Sequence, residues 1–344
     1  MRALSSSASR GVSRPRRNFA LAKSGHARCT EFAISRATAG DSRFLKGSTR
    51  RVCMKSVVLD NREAASEPPF VKTSWKHVCF RLLRVVVLVY VGIALAACAM
   101  QERLIFYPQN ESVRAMEFTA RAEGLLPWRT KNRELIGWRT GSPEAEKRLL
   151  IFHGNAGHAL YRGYYADLFQ ALGRNKWEIV LCEYPGYGAR PGKPSEQAFQ
   201  EAAMLAAKTL LAEDSRPLYL LGESLGSGPA CWLADAMPEE IAGVILVTPF
   251  YSLADAVRFA MPFLPGSLLL RHRFENAKAL TAYKGPVLFV LAGRDEVLGL
   301  ATGERLAASY QGAKRVWIQP EAGHNSVEFK ADLDGWSDAM RLFD

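Results

Sequence analysis

The chain has 344 residues, 48% of them hydrophobic, with 45 Lys and Arg against 34 Asp and Glu. Residues 1–58 hold 13 of the basic residues and only Glu31 and Asp41, so the other 286 residues carry 32 basic and 32 acidic side chains. The alkaline balance belongs to one terminal segment and gives the rest no basic face, so no nucleic-acid partner is expected. Six cysteines with no CxxC or CxxxC pair exclude a disulfide scaffold and argue against a cysteine zinc site.

Residues 1–79 read as a basic extension expected to be disordered. Its opening, MRALSSSASRGVSRPRRNF, has the Arg- and Ser-rich, acid-poor composition of an organelle transit peptide. A solvated tail, or a true start at Met54, fits the same composition. Residues 80–100 follow as a transmembrane or signal-anchor segment. From Val85 to Met100 no side chain is charged or strongly polar, and counted from Leu82 the run approaches the ~20 residues a span needs. Lys72, Lys76, Arg81 and Arg84 precede it, so the positive-inside rule sets the N-terminus in the cytoplasm. The alternative is a lipoprotein: Leu95-Ala-Ala-Cys98 resembles a bacterial lipobox, with the anchor on Cys98.

Residues 101–344 should form one domain. Segments 115–121 and 134–140 read as an antiparallel lead-in of two strands. Short apolar runs at 149–152, 179–182, 218–221, 244–247, 287–291 and 315–318 are continuous, as in strands buried on both faces. Helical patterns at 158–172, 195–212, 226–236 and 299–310 lie between them. Such alternation predicts an α/β fold with a mostly parallel, doubly wound sheet.

The run Leu218–Leu221 leads directly into Gly222-Glu-Ser-Leu-Gly226. This is G-x-S-x-G between a strand and a helix, where a sharp turn exposes the serine hydroxyl and the glycines remove clashing side chains. An activated Ser224 needs a base and an orienting acid, in the chain order serine, acid, histidine. Only His272 and His324 lie downstream. His324 follows the last strand, whereas His272, between Arg271 and Arg273, reads as an exposed surface residue. Asp295 just past the strand 287–291 is the acid candidate, with Glu296 and Asp255 as competitors; Asp255 reads better as a helix-start residue. The oxyanion donors should be the backbone N–H groups of Leu225 and of Asn155, the latter in the loop Phe152-His-Gly-Asn-Ala-Gly-His158. His153 there reads as a structural histidine, and Tyr184-Pro-Gly-Tyr-Gly188 as a tight turn whose tyrosines pack.

From Gln101-Glu-Arg-Leu-Ile-Phe-Tyr-Pro108 onward, with HGNAGH, YPGYG and GxSxG in this order, the chain resembles the α/β-hydrolase superfamily. It is most similar to a membrane-anchored branch that includes eukaryotic acyl-protein depalmitoylases and serine-aminopeptidase-like bacterial hydrolases. The resemblance implies Ser224 as nucleophile, Asp295 as acid, His324 as base, and Asn155 and Leu225 as oxyanion donors. Gly293 stands two residues before Asp295 rather than the three of many relatives, and segment 251–283 is short for a full lid. The function expected is a membrane-tethered serine hydrolase acting on an ester or thioester, the substrate itself lipidated in some relatives, with no metal or cofactor. A serine aminopeptidase and a non-catalytic scaffold are the alternatives.

Overall fold

The computed structural model describes residues 74–174, 176–329 and 333–344. The expected extension 1–79 therefore lies, up to residue 73, outside the described residues. Helix α1, Trp75–Ile105, contains the expected span and runs five residues beyond it at each end. Its 31 residues reach about 46 Å at 1.5 Å per residue, longer than the ~30 Å hydrocarbon core of a bilayer. Its most apolar window has a mean hydropathy of 2.5 and none of it is buried. Only Gln101 and Ile105, at the C-terminal end, are buried.

The segment expected as the first strand is a helix instead, α2, Val113–Ala122. Ser112 caps it by accepting from the Ala115 N–H at 3.2 Å, and Met116 and Ala120, four residues apart on one face, are both buried. Gly124, at φ +71°, ends it. The lead-in strands are β1, Leu126–Arg129, and β2, Leu135–Arg139, and they pair antiparallel.

The rest alternates as expected. β3 (Lys147–Phe152), α3 (Tyr164–Ala171), β4 (Trp177–Cys182), α4 (Glu196–Leu211), β5 (Leu218–Glu223) and α5 (Ser227–Ala236) come first. After β6 (Ile241–Val247), an excursion of three short helices, α6 (Leu253–Ala260), α7 (Gly266–Leu269) and α8 (Asn276–Ala279), stands where a lid would be. The chain closes with β7 (Val287–Ala292), α9 (Leu300–Ser309), β8 (Lys314–Gln319) and α10 (Leu333–Met340).

One eight-stranded sheet results, in the order β1-β2-β4-β3-β5-β6-β7-β8. The pairs from β4 through β8 are parallel, and β2 meets β4 antiparallel. Alternate residues of β5 serve opposite faces: Leu218 and Leu220 join one apolar core, Tyr219 and Leu221 the other. Both faces are thus covered, which is why the strands read as continuous apolar runs. At the other end of the sheet from the serine loop, Arg148 and Glu178 are register partners on β3 and β4. They form a buried ion pair that Glu213 and Asp214 extend. Arg148 also donates to the Leu210 carbonyl at the end of α4, so the charge is matched and hydrogen-bonded.

Candidate active site

The chain order reverses between β3 and β5, and in open α/β sheets the crevice beyond the strand ends at such a point receives ligands. Ser224 stands there, directly after β5, with φ +51°. That left-handed conformation is uncommon for a side chain with a β-carbon and is held only where the surroundings enforce it. A β-carbon on Gly226 would lie 2.0 Å from the Phe152 carbonyl oxygen, and one on Gly222 would lie 2.7 Å from the Gly226 oxygen. The turn closes because both positions are bare. Behind it, the Ser227 hydroxyl donates to the Ser224 carbonyl at 2.6 Å and accepts from Asn276 at 2.9 Å. Gly226→Ala is expected to lose about 3 kcal/mol of unfolding free energy, the upper range for overpacking a closed site. Denaturant unfolding measures it; a loss below about 1 kcal/mol would mean that the turn has room.

Ser224 Oγ lies 2.8 Å from His324 Nε2, and His324 Nδ1 lies 2.9 Å from Asp295 Oδ2. The other Asp295 oxygen accepts from the backbone N–H groups of Val297 and Leu298, at 3.0 and 2.8 Å. Burial raises the Asp295 pKa, but the hydrogen bonds from His324 and these amides outweigh it, and the carboxyl titrates below its ordinary value. Glu296, the competing acid, is turned to the backbone: its Oε2 accepts from the His324 N–H at 3.1 Å. Asp255 sits in the first turn of α6 beside the capping Ser252, as a helix-start residue should. His272 is not the exposed residue expected. It is half-buried, with Nδ1 accepting from the Glu196 N–H and its ring 5.2 Å from Phe106. Burial lowers its pKa; Phe106, just past the end of α1, gave no sequence signal that it would cover this histidine.

Asn155 follows β3 on the neighbouring loop. Its side chain is spent on holding that loop: Oδ1 accepts from the N–H of Tyr107, the N–H of Ala156 and the Tyr187 hydroxyl, and Nδ2 donates to the Ile105 carbonyl. The last residue of α1 and the segment after it are thus joined to this loop. Tyr184 donates to the His153 carbonyl at 3.0 Å and stacks on Phe199. Both tyrosines of the YPGYG turn are buried packing residues. His153 is buried as well, its Nδ1 2.8 Å from the Gly154 oxygen.

One feature beside the candidate site left little trace in the sequence. Glu223, next to the serine, receives three hydrogen bonds from two nitrogens of Arg162 and one each from the hydroxyls of Tyr164 and Tyr165. Burial raises its pKa, yet Arg162 and the tyrosines outweigh this and keep it ionised. Burial pushes the hydroxyls of Tyr164 and Tyr165 up, so they remain neutral donors.

Residues 147–269 match the family profile of the alpha/beta hydrolase fold. An uncharacterized protein of Mycobacterium tuberculosis is 32% identical over 273 residues, spanning 76% of this chain and 93% of that one. Alpha/beta hydrolase domain-containing protein 17C of Xenopus laevis is 32% identical over 248 residues, 69% of this chain and 73% of its own. A solved esterase from Pyrococcus furiosus shares the fold, with a TM-score of 0.53 at 15% identity over 70% of this chain and 97% of that one. The chain belongs to the alpha/beta hydrolase family. Its class is hydrolase, as the sequence motifs imply.

Proposed function

We propose that the protein is a membrane-tethered serine hydrolase that cleaves an ester or thioester through an acyl-enzyme. The observation that carries this is the unbroken chain of hydrogen bonds Ser224–His324–Asp295, at 2.8 and 2.9 Å. His324 Nε2 takes the Ser224 proton as Oγ attacks the acyl carbonyl, and Asp295 holds the ring and offsets the imidazolium charge. The backbone N–H groups of Leu225 and Asn155 are the donors assigned to the oxyanion. The alcohol or thiol leaves with the proton from His324. Water, deprotonated by the same nitrogen, then releases the acid and restores Ser224. None of these steps calls for a metal or cofactor.

The aminopeptidase alternative loses its support at Glu223 and Glu296. An ammonium group would need an acidic cluster near Ser224. Glu223 is neutralised by Arg162, which leaves Glu296, with one oxygen held by the His324 N–H, as a single carboxylate rather than a cluster. Labelling by a fluorophosphonate probe, with hydrolysis of p-nitrophenyl esters and of an acyl thioester but not of aminoacyl anilides, tests the reading. A protein that does not label would be a scaffold.

The apolar, exposed length of α1 is the proposed tether, with Lys76, Arg81 and Arg84 on the cytoplasmic side. The helix runs without a break through Cys98 to Ile105, which favours a span over the lipid anchor at that cysteine. A chain beginning at Gln101 is expected to be soluble and to label, because Gln101, Ile105 and Phe106, which dock into the hydrolase core, are kept. A chain beginning at Glu111 should label at least tenfold more slowly, since Asn155 then loses Ile105 and Tyr107. Equal labelling of the two would show that the end of α1 has no part in shaping the site.

A further inference from the structure

From the last turn of α6 through α7, the twelve residues 259–270 (FAMPFLPGSLLL) hold no charge and one polar side chain, Ser267. Phe259, Phe263 and Leu268 are nevertheless 51, 65 and 82% exposed, which is costly in water. Arg258 and Arg271, both exposed, bound the run. Its length is too short to cross a bilayer but suits a segment that enters and leaves on one side. The backbone is fitted to the same surroundings. Pro262 and Pro265 bring no N–H, and the N–H groups of Leu264, Gly266, Leu268, Leu269 and Leu270 bond to carbonyls within the run at 2.8 to 3.2 Å. Hydrocarbon offers a backbone group no partner, so a turn facing lipid must bond to itself in this way.

Contacts at two levels of α1 set the depth of this run. At one level, the Tyr90 hydroxyl donates to the Phe263 carbonyl at 3.0 Å. At the other, Arg271 donates to the Cys98 carbonyl at 3.3 Å and lies 3.8 Å from the Glu102 carboxylate. Its N–H is accepted by Gln101 Oε1 at 2.8 Å. Residues 98–102 mark the end of the apolar part of α1. Tyr90 stands about 15 Å further in, counted from Met100 at 1.5 Å per residue, which is half the ~30 Å of a hydrocarbon core. With α1 across a membrane, the turn at Phe263 therefore stands in lipid and Arg271 at the lipid surface.

We propose that residues 259–270 insert into the bilayer leaflet at the C-terminal side of α1, as a second membrane contact made by the hydrolase domain itself. The inference rests on the membrane-tether reading above and adds a docking surface to it. The occupant of that surface is phospholipid. Acyl chains cover Phe259, Phe263 and Leu268, and headgroup phosphates meet Arg258 and Arg271, whose long side chains reach outward from the edges of the run. A soluble protein partner would need neither the self-bonded turn nor its alignment with the span. A lone span leaves a domain free to turn about it, whereas two contacts fix which face meets the membrane. The Phe259 ring packs on Gly299, where an added β-carbon would lie 2.9 Å from it. The Gly299 N–H donates to the Asp295 carbonyl at 3.2 Å, so the inserted face adjoins the loop that carries Asp295.

The test uses full-length protein in vesicles of phosphatidylcholine and phosphatidylglycerol that contain a phosphatidylcholine with a diazirine in its acyl chain. After illumination, mass spectrometry maps the lipid adducts, which are expected both within residues 85–100 and within residues 259–270. Adducts within 85–100 alone overturn the insertion and leave the tether intact. Adducts within 259–270 alone support the insertion and refute the span, and adducts in neither segment refute both. Phe263→Asp combined with Leu268→Asp should cut the yield within 259–270 about tenfold, because a carboxylate is disfavoured in hydrocarbon, with the yield within 85–100 unchanged. An undiminished yield within 259–270, in a variant that keeps the wild-type near-ultraviolet circular dichroism, overturns the proposal. If the variant does not fold, the wild-type adduct map decides.

Discussion

Ser224→Ala is expected to lower kcat for ester hydrolysis on the order of 10⁶-fold, the scale reached when a nucleophile and its base act as one unit. The hydroxyl is 2.8 Å from His324 Nε2, the nitrogen proposed to take its proton, and among the described residues no second hydroxyl is hydrogen-bonded to that nitrogen. Ser227 is the nearest serine in sequence, but its hydroxyl is held by the Ser224 carbonyl and by Asn276. Alanine should therefore find no substitute nucleophile. Because a residue at this position is held at φ +51°, removing Oγ leaves the backbone strain in place, and stability should change little. Steady-state hydrolysis of p-nitrophenyl acetate and loss of fluorophosphonate labelling check the result. Activity above about a hundredth of wild type would assign the nucleophile to another residue.

Much of the candidate site was legible because its parts are local. G-x-S-x-G after an apolar run, with Asp295 preferred to Glu296 and Asp255 and His324 preferred to His272 because each follows a later strand, needs only the strand order to come together. The sheet supplies it: β5, β6, β7 and β8 are successive neighbours, so the ends bearing Ser224, Asp295 and His324 lie along one edge. The misreading of 115–121 has a simple cause. Met116-Glu-Phe-Thr-Ala-Arg-Ala122 alternates apolar and polar residues as a strand does, and the Ser112 cap and Gly124 stop outweighed that pattern only once Met116 and Ala120 had a face to bury.

What stayed hidden depends on contacts between distant segments. Arg162 meets Glu223 across 61 residues, and Asn155 meets Ile105 across 50. Neither pair has a local periodicity to betray it. His272 was misjudged for the same reason: flanking arginines suggested solvent, while Glu196 and Phe106 come to it from other elements. The end of α1 likewise read as the edge of an anchor. Its hydrogen bonds to the Asn155 side chain and to the segment after α7 make it a structural member of the end of the sheet that carries the candidate site.

Asp295→Asn is expected to cost on the order of 10⁴-fold in kcat, because an amide presented to His324 Nδ1 favours the tautomer that cannot accept the serine proton. The geometry allows little escape. Asp295 Oδ1 is fixed by the Val297 and Leu298 amides, so the asparagine oxygen is drawn to those donors and its NH₂ is left facing the imidazole. Glu296 cannot replace the lost charge without releasing the His324 N–H that it holds at 3.1 Å. Glu296→Gln keeps an acceptor for that N–H and should cost less than about tenfold. The pair of variants therefore separates the two carboxylates: a nearly silent Asp295→Asn with a severe Glu296→Gln would move the acid to Glu296. With the order as proposed, fluorophosphonate labelling of Asp295→Asn should slow in parallel with kcat, since both depend on the same proton transfer from Ser224 to His324.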